Sequence, residues 1–74
     1  MGKLIITNNI RRLRFENDEM SQAELARRTD VTRQTILALE ASKYSPSLEL
    51  AFRIAEVFGK SLEDIFSYQH NPAG

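Results

Sequence analysis

The sequence predicts an all-α fold, five short helices in one compact domain. Apolar residues recur at spacings of three and four through most of the 74 residues, the period of a helix with one buried face. Residues that cap helix N-termini stand just before four of these apolar runs. There is no cysteine, so neither a disulfide framework nor a zinc–thiolate site can hold the fold, and packing must suffice. A domain of this size buries only about 60% of its unfolded surface. That leaves one core and excludes a second, catalytic domain.

Taken in order, residues 1–7 form an N-terminal arm. Leu4-Ile5-Ile6-Thr7 is β-prone but too short to decide between a strand, a packed arm and an extra helical turn. Leu4, Ile5 and Ile6 either cover the core or bridge two subunits. A first helix near 8–17 is anchored by Ile10, Leu13 and Met20. Ser21 with Glu24 makes a capping box for a second, near 22–29, carrying Leu25 and Ala26. Thr32 caps a third near 33–41, held by Ile36 and Leu39. Ser47, after Pro46, caps the most amphipathic segment, near 48–58, with Leu48, Ala51, Phe52, Ile54, Ala55 and Phe58 on core periods. Gly59 suits a left-handed closing position. Ser61 with Asp64 starts a short fifth helix near 62–67, with Leu62, Ile65 and Phe66 inward. Residues 68–74 have no apolar period and read as a frayed tail. The helical domain is thus 8–67 within a single unit of 1–74.

The second and third helices are joined by Thr29-Asp30-Val31. Helices linked so tightly cross steeply, and their close approach favours a small residue such as Ala26. With Ile36 and Leu39 turned to the body, positions 34, 37, 38 and 41 of the third helix lie on the opposite side. Arg33, in the first turn, reaches the same target. Arg can donate twice to guanine O6 and N7 and Gln can pair with adenine N6 and N7, while Leu37 and Ala38 can meet thymine methyls. A helix presented in this way suits a DNA major groove. Net charge is zero, yet residues 1–45 carry eight basic against six acidic side chains and residues 46–74 two against four. The N-terminal part can therefore offer a modestly basic face.

Residues 10–66 resemble the Cro/cI-type, lambda-repressor-like (XRE) helix-turn-helix family. SQAELA, then VTRQTI followed by Glu40, then SLELAFRIAEVFG and SLEDIF fall in the family's order and spacing. The resemblance implies a lambda-repressor-like domain whose helices 2 and 3 form the motif, and sequence-specific binding of double-stranded operator DNA, most often by a homodimer on a palindrome. By position it implies a phosphate contact for Gln22 and Lys43, and base or backbone reading for Thr32, Arg33, Gln34, Thr35 and Ala38. Arg14 and Glu40 match positions that pair as a structural ion pair. Three stretches depart from the pattern: Asp30 stands where the family has glycine, Asn17-Asp18-Glu19 is one residue longer than the common loop, and Ala41-Ser42-Lys43 replaces an Asn-Gly-Lys turn. Tyr44 either touches the sugar–phosphate backbone or packs on the fourth helix. Arg11, Arg12, Arg27 and Arg28 read as solvated surface rather than phosphate clamps.

The expected function is a transcriptional regulator, a repressor acting by occupancy of its operator. The alternatives are an antitoxin that also binds its own operator, with a toxin as protein partner, and a helical protein-interaction module. No enzyme is expected, because the sole histidine is His70 in the tail and no nucleophile–base or metal-ligand spacing is present. No cofactor or metal is expected either. Absence of a signal peptide and of an apolar run near 20 residues points to a cytoplasmic protein with no membrane partner.

Overall fold

Four hydroxyl side chains start four of the five helices. In the computed structural model, which describes residues 3–71, these are α1 (Ile10–Glu16), α2 (Gln22–Thr29), α3 (Arg33–Glu40), α4 (Leu48–Phe58) and α5 (Leu62–Ile65). Ser21 accepts from Glu24 N, Thr32 from Thr35 N, Ser47 from Leu50 N and Ser61 from Asp64 N, at 3.0–3.3 Å. Each satisfies one donor that the first helical turn leaves unpaired. At Ser61 the box is reciprocal, Asp64 accepting from Ser61 N at 3.3 Å. At Ser21 it is not, because Glu24 turns instead to Arg27 and Arg28 at 2.6 and 2.7 Å. Hydrogen bonds from Arg27 and then Arg28 hold the Glu24 carboxyl down at about 2.

Three helices end in the same way, with a left-handed residue and two backbone bonds that take up the last carbonyls. Asp30 (φ 61°), Ser42 (φ 58°) and Gly59 (φ 63°) occupy the left-handed position. The bonds are Asp30 N to Arg27 O and Val31 N to Ala26 O, Ser42 N to Leu39 O and Lys43 N to Ala38 O, and Gly59 N to Glu56 O and Lys60 N to Ala55 O. Asp30 and Ser42 hold this shape without glycine, at a cost of about 1 kcal/mol each. The longer loop after α1 is absorbed by two successive left-handed residues, Asp18 and Glu19. Met20 is thereby returned to the core, its N–H on Arg14 O at 2.8 Å.

One core runs through all five helices: Ile10, Leu13, Met20, Leu25, Ala26, Ile36, Leu39, Leu50, Ile54, Ala55, Phe58 and Ile65. The all-α expectation holds, with one addition. Residues Lys3–Asn8 form a strand, β1, antiparallel to β2 (Phe66–Asn71), in a register running from Lys3 opposite Asn71 to Asn8 opposite Phe66. This settles the β-prone arm as a strand and corrects the other end. The fifth helix stops at Ile65 rather than 67, Phe66 is already extended (ψ 143°), and residues 68–71 of the expected tail are paired. Thr7 and Ser67, opposite in register, also bring their hydroxyls to 3.2 Å. Pro72, Ala73 and Gly74 lie outside the described residues, as do the side-chain roles expected of Leu4 and Ile5.

Phe52 is a second correction. Expected inward, it is 56% exposed, and Leu48 on the same stripe is 67% exposed. From α4 the core takes Leu50, Ile54, Ala55 and Phe58, with Val57 packed partly buried against it, and Ala51 is buried beside them. The apolar arc of that helix is wider than the surface its neighbours cover, so its outer edge stays in solvent. Among the described residues, no helix is long and apolar enough to cross a membrane.

Candidate nucleic-acid interface

The joint between α2 and α3 is built from the residues expected there. Ala26 is buried at the crossing, Val31 in the turn packs against the core, and Ile36 and Leu39 are fully buried beneath α3. Thr29, also buried, donates to Leu25 O at 2.8 Å. Arg53 of α4 donates to Thr29 O at 3.1 Å and ties down the end of α2. With two apolar anchors inward, the other face of α3 is presented.

On that face Arg33, Gln34 and Leu37 are exposed and Ala38 is half-buried. Thr32, Gln34, Thr35, Ala38 and Tyr44 line one shallow depression. Tyr44 thus shares a surface with α3. The Thr32 and Thr35 hydroxyls lie 3.0 Å apart. Lys43 does not line the depression; it is exposed beside it, where the turn closing α3 puts it.

Gln22 is held differently from a free phosphate donor. Its amide gives one N–H to Glu40 Oε1 at 3.2 Å and keeps the second for another acceptor. Glu40 is itself clamped by Arg14, Nε to Oε2 at 2.6 Å and a terminal nitrogen to Oε1 at 3.0 Å, while the other terminal nitrogen donates to Met20 O at 2.8 Å. The expected ion pair is therefore present, bidentate and nearly enclosed, Arg14 being 14% and Glu40 10% exposed. It fastens the end of α3 to α1.

Most of the arginines are paired. Arg27 and Arg28 are paired with Glu24, Arg12 with Glu16 and Arg53 with Glu49. Among the described residues Arg33 and Lys43, at the two ends of α3, carry no such partner, and neither do Arg11 and Lys60, so unpaired positive charge is present beside α3 without being confined to it. One residue at this joint had no role in the sequence reading: Asn8, at the end of β1, donates to Leu39 O of α3 at 2.8 Å. Its only signal in the chain is an Asn pair between a β-prone run and a helix start.

A family model described as Helix-turn-helix matches residues 10–65. An uncharacterised HTH-type transcriptional regulator of Methanocaldococcus jannaschii is 54% identical over 50 residues, 68% of this chain and 76% of that protein. Another, from Methanothermobacter thermautotrophicus, is 60% identical over 48 residues, 64% of this chain and 70% of its own. A third, from Bacillus subtilis, is 46% identical over 46 residues, 62% of this chain and 70% of its own. The family-model match covers both helices of the motif and the presented face just described, and the chain belongs to the Cro/cI-type (XRE) helix-turn-helix family of DNA-binding transcriptional regulators.

Proposed function

We propose that the protein is a repressor that occupies a palindromic operator as a homodimer, with Arg33, Gln34, Leu37 and Ala38 of α3 reading base edges. In this reading Gln22, Thr32, Thr35, Lys43 and Tyr44 grip the backbone. The observation that carries it is the presented face of α3, donor-rich at its N-terminal end and anchored from behind by Ile36 and Leu39. Base contacts carry sequence information and phosphate contacts do not, so two substitutions separate the roles. On a duplex selected from random sequence, Gln34→Ala is expected to lose about 1–3 kcal/mol and to relax preference at one base pair. Lys43→Ala weakens cognate and scrambled duplexes alike and lowers the salt slope by about one unit. Unchanged affinity and preference in Gln34→Ala would remove α3 from the reading role.

The partner in the homodimer is best accommodated on the apolar hollow formed by Ile6, Pro46, Leu48, Ala51, Leu62 and Phe66. It contains no charged residue and takes nothing from α2 or α3, so a second copy seated there leaves both reading helices free. Two half-sites then fall about one helical turn apart, roughly 10 bp centre to centre. Leu48 is the residue to change, since it opens α4, where an acidic side chain suits the helix dipole and spares the fold. Leu48→Glu is expected to give a folded monomer that binds a two-half-site duplex about a hundredfold more weakly while keeping its half-site affinity. Sedimentation mass and binding to one- and two-site duplexes check this; a wild-type mass in the variant rules out this surface.

A further inference from the structure

Asn8 is the last residue of β1, opposite Phe66, and both ends of its half-buried side chain are in use. Oδ1 accepts from Ile10 N at 3.1 Å, where α1 begins, and Nδ2 donates to Leu39 O at 2.8 Å, in the last turn of α3. The same Leu39 carbonyl accepts from Ser42 N at 3.0 Å. A carbonyl oxygen has two lone pairs, and here one is taken by the turn that closes α3 and the other by a side chain from the strand ribbon. That closing turn also contains the bond from Lys43 N to Ala38 O at 3.0 Å.

We infer that Asn8 is a positioning residue for contact with the DNA backbone: through the Leu39 carbonyl it sets the place of Lys43, and so couples the pairing of β1 with β2 to affinity for phosphate. The inference rests on Lys43 being a phosphate contact, as proposed above. Lys43 has no side-chain partner among the described residues, so the turn's backbone is what aims it. The turn runs through Ser42 in the left-handed region (φ 58°), a conformation that is uphill for serine and persists only while its bonds hold it. Arg14 restrains the neighbouring Glu40 through its side chain. Asn8 restrains the backbone itself.

Asn8→Asp isolates this role. The carboxylate still accepts from Ile10 N, so the start of α1 is kept, but it has no proton to give Leu39 O and sets a negative charge against the carbonyl end of α3. In the free protein, amide exchange at Ser42 and Lys43 is expected to quicken about fivefold or more, the scale of one lost hydrogen bond. On DNA, the salt slope falls by about 0.9 while the preferred sequence is unchanged. A purely structural role would lower stability without selecting the salt slope. Because Asn8 acts through Lys43, the double variant Asn8→Asp/Lys43→Ala shows the slope of Lys43→Ala alone; additive losses overturn the coupling. A wild-type slope in Lys43→Ala overturns the phosphate reading itself. A normal loss in Lys43→Ala beside a wild-type slope and exchange in Asn8→Asp overturns the role of Asn8 alone. Should Asn8→Asp not fold, the wild-type protein decides: Asn8 Nδ2 protons that exchange slowly support the assignment, and exchange as fast as that of the exposed Asn17 overturns it.

Discussion

Glu40→Ala is expected to remove about 3 kcal/mol of folding stability, because it leaves a nearly enclosed guanidinium without its counter-charge. For a domain of this size that lowers the melting temperature by roughly 12–24 °C. Arg14 gives two of its three bonds to Glu40 and would keep only the one to Met20 O. Gln22 would lose its acceptor as well, so DNA affinity falls together with stability. Removing both charges is milder than the two single losses combined, since no buried ion is then left unpaired. A double-mutant cycle with Arg14→Ala, read by denaturant unfolding, measures the difference. Additive single effects would show that the two groups do not interact.

Ile36→Ala is expected to cost a similar amount, about 3 kcal/mol, the transfer of the lost methylene and methyl groups plus the cavity left behind. Ile36 is fully buried, on the inner face of α3. Alanine is the best helix former, so the helix itself survives and the loss falls on its attachment to the body. Arg33, Gln34 and Leu37 are on the other side and remain exposed. The variant, at a temperature where it is folded, therefore keeps the wild-type order of preference among duplexes. Unfolding midpoints beside binding to a panel of single-base variants provide the check, and a changed preference at unchanged stability would mean that Ile36 is not merely an anchor.

The helices were legible because their signals are local. Ser21, Thr32, Ser47 and Ser61 each cap a donor three residues away, and apolar spacing does the rest. The ribbon was not legible, since the partner of the Ile6 strand is Tyr68, at the far end of the chain; neither segment alone declares itself a strand. Phe52 misled because a spacing of four marks an apolar face without saying whether anything packs on it. The presented side of α3 followed from helical geometry once Ile36 and Leu39 were taken as anchors. The pairing of Arg14 with Glu40 came only by resemblance, as charges 26 residues apart have no local signature. Asn8 was missed for a related reason: an amide that joins two elements looks, in the chain, like any polar residue between them.

The ribbon has a consequence for how the chain assembles. In an ordinary hairpin a turn of about two residues brings two strands together at little entropic cost. Here the strands are joined by five helices, and closing a loop of that length in an open chain costs several kcal/mol, growing with the logarithm of its length. Asn9 N bonds to Ile65 O at 3.1 Å, and Asn9 Nδ2 to Asp64 O at 3.0 Å, just where the strands begin to pair. Once the helices have packed, this junction holds the strand roots together as a turn would. The whole helical body then serves as the turn of the hairpin, with Asn8 and Phe66 as the first pair beyond it.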